Sequence, residues 1–206
     1  MRYPIFLNLE KKRVVLIGGG CVALRKAEAL LETGAVLVVV SPEIHQTLES
    51  LCNDRHIEMI RDRYHSQYIE RARLVIAATN DMDLNQRIYN DCRQLEILCN
   101  VVDKPDLCDF FVPAVIRRGR LQIAISTEGN CPAYAGHLRR TLERIITEQH
   151  GRFLDALEIL RQDILRQCDD PDQRKALLVR AVSDASFEIF LEQGQELWLR
   201  QYAGGR

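Results

Sequence analysis

Apolar residues fall into two rhythms that alternate along the first half of this chain. From Arg13 the sequence runs Val-Val-Leu-Ile and stops on Gly18-Gly19-Gly20, a short continuous apolar run of the kind a buried strand shows. Past the glycines, apolar positions recur at Val22, Ala23, Ala27, Leu30 and Leu31, one face of a helix, and the pattern ends at Gly34, the expected C-cap. A second apolar run, Val36 to Val40, follows at once, so strand, glycine turn, helix and strand fit between residues 13 and 40. Ile44, Leu48 and Leu51 predict another helix, Ile57 to Ile60 a short strand, and Leu74-Val-Ile-Ala-Ala78 a buried parallel strand. Leu84, Ile88 and Cys92 repeat at helical spacing, and Ile97 to Val102 predicts a fifth strand.

The second half changes rhythm. Two further short runs, Phe110 to Pro113 and Leu121 to Ile125, are separated by the basic turn Arg117-Arg118-Gly119-Arg120. After Pro132 the pattern is helical throughout: Leu138, Leu142, Ile145 and Ile146 form one stripe, Phe153, Leu157, Leu160 and Ile164 a second, and Ala176 to Leu178 begin a third. Strands alternating with helices predict an α/β fold, a Rossmann-like doubly wound parallel sheet, followed by a small connecting region and a helical C-terminal domain. The expected divisions are 1–109, 110–146 and 147–206.

A strand that stops on glycines and turns into a helix can seat the pyrophosphate of a dinucleotide. Gly18 and Gly20 supply the first two glycines of the G-x-G-x-x-G/A pattern, with Gly19 between them, and Ala23 supplies the third small residue, which lets the helix pack closely. The plain alternative is an ordinary tight turn without a ligand. The acidic residue expected about 20 residues on, where it would hold the ribose, is replaced by Ser41, with Pro42 and Glu43 after it. Glu43 either reaches the ribose from the loop or favours the start of the next helix. No arginine replaces the acid at Ser41, so a site built for a 2′-phosphate is not suggested either. Ligands of such a sheet bind beyond the carboxyl ends of the strands, which places Thr79 and Asp103 at the same crevice. Asp103 acts there as a general base, or it caps the turn beside Pro105.

Composition narrows the function classes. A net charge of −1 over 206 residues gives no case for nucleic acid or an acidic membrane surface. The seven cysteines are odd in number and scattered, without a C-x-x-C pair, which reads as reduced thiols in a cytoplasm-like compartment rather than a disulfide frame or zinc site. No apolar stretch approaches the roughly 18 residues a membrane span needs, so a soluble, cytoplasmic protein is expected. The histidines His45, His56, His65, His137 and His150 are isolated, and no protein metal site is expected.

Six separated motifs then occur in order: Tyr3-Pro-Ile-Phe-Leu7, Gly18-Gly-Gly-x-Val-Ala-x-x-Lys26, Ala77-Ala-Thr-Asn-Asp81 with Asn85, Asn100-Val-Val-Asp103, Phe111-x-Pro113 and Ser126-Thr-x-Gly129-x-x-Pro132. Together they resemble the precorrin-2 dehydrogenase and sirohydrochlorin ferrochelatase family, which includes the N-terminal module of siroheme synthases. The resemblance extends to about residue 145, and the helical remainder matches only in kind. It implies an enzyme: precorrin-2 gives up two hydrogens, a hydride going to NAD and a proton to the enzyme or water, yielding sirohydrochlorin. Some members also take ferrous iron as a substrate and insert it to make siroheme, the tetrapyrrole nitrogens being the ligands. The resemblance makes Asp103 the catalytic aspartate and puts NAD contacts at Cys21, Val22, Pro42 and Glu43. It implies a homodimer built from residues 110 to 146, in which each subunit's cleft, lined by Arg139 and Arg140, is completed by the other. The sheet edge left by the strands after Asp103 points the same way. A chain ending at Arg206 is expected to lack the methyltransferase domain that siroheme synthases append.

A polycarboxylate substrate calls for cations, and Lys104, Arg117, Arg118, Arg120, Arg139 and Arg140 are the candidates, each with the alternative of a solvated surface charge. Two positions depart from the family pattern and a third, which matches it, has two readings. Glu128 replaces a glycine, Cys131 replaces a frequent serine and is expected to be buried, and Thr127 stands where some relatives are phosphorylated, or simply caps a helix. Two other classes stay open. A non-catalytic NAD- or tetrapyrrole-binding protein would keep the glycines but need no base, and a dehydrogenase of a small substrate would need a Tyr/Lys or His/Asp pair that the sequence does not offer.

Overall fold

The structure, a computed structural model, describes residues 2–203. The chain divides into two compact units, one running to Val112 and the other starting at Pro113. The first contains β1 (Arg13–Ile17), α1 (Cys21–Leu31), β2 (Val36–Val40), α2 (Gln46–Asp54), β3 (Glu58–Ile60), β4 (Leu74–Ala77), α3 (Met82–Gln94) and β5 (Leu98–Val101). The strands order β3-β2-β1-β4-β5 and pair in parallel throughout. This is the doubly wound arrangement, with its change of direction between β1 and β4.

The central strands β1, β2 and β4 are apolar on both sides because both faces of the sheet are covered there. Val15, Ile17, Val38, Val40, Val75 and Ala77 pack on one face with Ile88 and Cys92 of α3. Their neighbours Val14, Leu16, Leu37, Val39, Leu74 and Ile76 pack on the other with Ala23, Ala27 and Leu30 of α1 and Leu48 of α2. The register aligns Ile17 with Val40 and Ala77, and Ala77 with Val101. Four strands therefore end level, and the segments that leave them share one edge.

The second unit opens with an antiparallel hairpin, β6 (Ala114–Arg118) and β7 (Leu121–Ile125), closed at Gly119 with φ 58°. Four helices follow: α4 (Pro132–Glu143), α5 (Glu148–Gln167), α6 (Pro171–Ala181) and α7 (Asp184–Ala203), the last kinked at Gly194. Gly151 brings α5 against the Arg118 backbone, where a Cβ would collide with the Arg118 carbonyl. Phe153, Ala156, Leu160 and Ile164 of α5 pack with Ala181, Phe190 and Trp198 in a separate core. Among the described residues no helix is long and apolar enough to cross a membrane.

Four local expectations are corrected. Helix α1 stops at Leu31, and Gly34, with φ 71°, forms the turn into β2 rather than the C-cap. The first hairpin strand is Ala114–Arg118, not Phe110 to Pro113: Cys108 pairs with Asn100 beside β5, the Phe110 carbonyl accepts from Asn100 Nδ2 at 2.8 Å, and Pro113 has no N–H to give. Arg117 and Arg118 thus lie in the strand, not the turn. Ile145 and Ile146 fall beyond α4, where both amides close onto the Leu142 carbonyl.

Candidate functional site

The glycine turn links β1 to α1, and its three glycines do different work. Gly18 has φ 121°, donates to the Val40 carbonyl at 2.9 Å, and lies where a Cβ would strike the Ala78 carbonyl. Gly19 is packed under the Glu43 carbonyl, while its own carbonyl accepts from the His45 amide at 2.8 Å. Gly20 is the N-cap of α1, and a Cβ there meets nothing within 4 Å. No side chain caps this helix, and its first turn carries no acid. The first amides of an uncapped helix, here those of Cys21 and Val22, are suited to an external anion. The donor set therefore fits a dinucleotide's pyrophosphate, with Gly20 leaving room for it. Ala23, fully buried, closes the packing behind.

Beyond β2, Ser41 is buried and donates to the Glu43 carbonyl at 2.7 Å, while the Pro42 and Glu43 side chains lie exposed. Helix α2 starts at Gln46, capped by His45, and the acid in its first turn is Glu49, so Glu43 stays on the loop facing solvent. Beyond β4, Thr79 donates to Asn85 Oδ1 at 2.8 Å and accepts from the Asp81 amide at 3.2 Å, and Asp81 caps α3 through the Leu84 amide.

Beyond β5, Asp103 sits in a tight turn closed by the Lys104 amide on the Val101 carbonyl at 3.3 Å. Its φ is 60°, in the left-handed region that aspartate tolerates better than most residues. The chain then doubles back along β5, pinned by Cys99 and Asp109, whose backbone and side chain both bond to Cys99 at 2.9 and 2.8 Å. Asp103 is exposed. Across from it stands Lys26 of α1, whose ammonium is pushed below the ordinary lysine range by burial and by Arg25, with Asp103 and then Cys108 pulling it partly back. Turn, helix start and Asp103 thus meet at one edge of the sheet.

The six candidate cations differ in availability. Lys104, Arg120 and Arg140 are exposed, and Arg117 and Arg139 half-buried. Arg139 pairs with Glu143 at 2.8 Å. Arg118 is the most committed: it donates to the Ile146 and Arg117 carbonyls at 2.9 Å and pairs with Glu148 at 3.3 Å. In the 126–131 loop, Glu128 has φ 52°, a left-handed conformation that glycine would adopt at lower cost. Thr127 accepts from the Cys131 amide at 3.2 Å, closing the loop ahead of α4. Cys131 is exposed, contrary to its expected burial, because it is the N-cap residue of a helix end facing solvent. Lys26, Asn85 and Cys108 are residues the sequence reading gave no role. Two of them stood inside quoted motifs, so the signal was present without the geometry that explains it.

Comparison with known proteins bears on the family and the fold. Residues 5–114 match the family model described as putative NAD(P)-binding, and residues 118–145 match that of the sirohaem biosynthesis protein central region. A siroheme synthase of Psychrobacter cryohalolentis is 39% identical over 162 residues, 79% of this chain and 31% of that protein. A siroheme synthase of Actinobacillus pleuropneumoniae serotype 3 is 34% identical over 192 residues, 93% of this chain and 40% of that protein. The chain therefore spans between about a third and two-fifths of the length of these curated relatives. The solved structure of SirC, precorrin-2 dehydrogenase, superposes with a TM-score of 0.82 at 23% identity, covering 99% of this chain and all of the other, and so shares the fold.

Proposed function

Because this chain belongs to the putative NAD(P)-binding family that more than half of its length matches, we propose that it oxidises precorrin-2 to sirohydrochlorin, with NAD as the cofactor. The observation that carries this reading is the placement of Asp103 at the same sheet edge as the open Gly20 turn. Gly18 and Gly19 shape that turn, and the Cys21 and Val22 amides hold the pyrophosphate at the start of α1. Pro42 and Glu43 border the ribose, and Thr79 borders the crevice from β4. The absence of an arginine at Ser41 favours NAD over NADP. When bound, the cofactor supplies the hydride acceptor. Asp103 takes the proton that leaves with the hydride, a role in which a positioned carboxylate contributes about a hundredfold or more.

The substrate carries carboxylates around a macrocycle, and the cations proposed to meet them are Lys104, Arg117, Arg120, Arg139 and Arg140, with Arg118 holding β6 to the turn before α5. Where ferrous iron is the second substrate, the macrocycle nitrogens ligate it and Asp103 receives their protons. A homodimer through residues 110–146 completes the site, which a two-stranded sheet, marginal on its own, supports, and the helices after it carry the core of the second unit. The seven free thiols suit a reducing, cytoplasm-like compartment.

Incubation with NAD and precorrin-2, followed by NADH and sirohydrochlorin absorption, tests the reading. Turnover requiring both reactants is expected, and slower with NADP. Tight NAD binding without turnover would make the chain a non-catalytic NAD- or tetrapyrrole-binding protein instead. Sedimentation showing a fully active monomer at micromolar concentration would remove the dimer.

A further inference from the structure

The turn that presents Asp103 is held from inside by a thiol. Cys108 Sγ lies 3.1 Å from the Val101 carbonyl oxygen and 3.1 Å from that of Lys104, the two ends of the turn. Asn100, 6% exposed, reaches behind it, donating from Nδ2 to Cys108 Sγ at 3.4 Å and to the Phe110 carbonyl at 2.8 Å. Residue 103 has φ 60°, a conformation that costs a non-glycine residue about 1 kcal/mol and persists where surrounding structure over-determines it. An exposed loop left to itself would relax out of it. Lys26 feels the Asp103 charge, so the turn as held keeps the carboxylate beside α1, the helix that starts at the glycine turn.

We propose that Cys108, backed by Asn100, is a positioning residue: its thiol ties the Val101 and Lys104 carbonyls together and keeps the Asp103 carboxylate aimed into the crevice. This rests on the reading of Asp103 as the base. The thiol has one hydrogen and two equidistant acceptors, and burial pushes it toward staying protonated, so the clasp holds across the neutral range.

The test compares Cys108→Ala, Cys108→Ser and Asp103→Ala in the full chain, measuring kcat, KM for NAD and for precorrin-2, and the thermal midpoint. The clasp predicts that Cys108→Ala lowers kcat about tenfold, the scale of a misaimed catalytic group, while KM for NAD stays within about twofold. Cys108→Ser, which keeps a donor, recovers most of the rate. If Cys108→Ala keeps wild-type kcat while Asp103→Ala loses it, the clasp is overturned and the base stands. If Asp103→Ala turns over normally, the underlying reading falls instead. If serine and alanine variants are equally slow and equally destabilised, Cys108 only fills space and the proposal is wrong.

Discussion

Thr79 and Asn85 are bonded to each other twice, Thr79 Oγ1 donating to Asn85 Oδ1 at 2.8 Å and Asn85 Nδ2 donating to the Thr79 carbonyl at 3.0 Å. Asn85 is 2% exposed and Thr79 half-buried. This pair fixes the segment leaving β4 where it passes Gly18. Asn85→Leu should lower unfolding free energy by about 0.5–1.5 kcal/mol, the net worth of such bonds, and should weaken NAD binding as the Thr79 loop loosens. Urea unfolding and calorimetry check the two effects.

The glycines of the turn give a contrast. Gly20→Val places its side chain where the chain has no atoms, so the thermal midpoint should stay near wild type while NAD binding is lost. Gly18→Ala meets the Ala78 carbonyl at a φ of 121°, so it should destabilise by about 1–3 kcal/mol before any ligand is added. Unchanged NAD affinity in Gly20→Val would remove the pyrophosphate from this turn.

How much of this was legible beforehand depends on range along the chain. The five parallel strands follow from continuous apolar runs, and each lies within a residue or two of its expected span, because a strand covered on both faces leaves no other pattern. Phe110 to Pro113 misled: it is as apolar as a strand, but the Phe110 carbonyl accepts from the Asn100 side chain ten residues back and Pro113 has no N–H to give. The Asp103 turn shows the same limit. Its position at a strand end was readable, whereas the left-handed φ and the Cys108 thiol beneath it depend on the chain returning along β5. Helix α7 left no stripe to read because Gly194 breaks its face in two, although Trp198 and Ser186 within it, joined at 2.8 Å and fully buried, anchor the second core.

Tyr64 gives a pH-dependent prediction. Its hydroxyl, 5% exposed with the rest of the residue, donates to Asp91 Oδ2 at 2.9 Å, and burial followed by that bond pushes the phenol well above its ordinary value. A raised value means that the folded state keeps a proton which the unfolded chain releases near pH 10, so stability is fully present below about pH 10 and declines as pH rises above it. Tyr64→Phe should cost about 1 kcal/mol at pH 7, the net worth of the lost bond, since Asp91 keeps Arg87 at 3.9 Å, and should flatten the alkaline decline. Urea midpoints at pH 7 and pH 10.5 would show it, and parallel curves for the two proteins would contradict the assignment.

Lys26 carries the opposite sign. Burial holds its ammonium below the ordinary lysine value of 10.5, so the folded state binds that proton less well than the unfolded chain. The charged form is therefore a burden on stability below the lowered value, and it lifts as pH rises toward 10.5. Lys26→Met should be at least as stable as wild type at pH 7, and the difference should shrink at alkaline pH. A methionine variant clearly less stable at pH 7 would show that Lys26 contributes more through Asp103 than burial takes away.

The most direct measurement is the single-turnover rate of precorrin-2 oxidation with saturating NAD in wild type and Asp103→Ala, alongside NAD affinity by calorimetry. The account predicts unchanged NAD affinity, a thermal midpoint lowered slightly because alanine tolerates φ 60° less well than aspartate, and a rate reduced by about a hundredfold or more. A variant that binds NAD normally and oxidises precorrin-2 at the wild-type rate would contradict it.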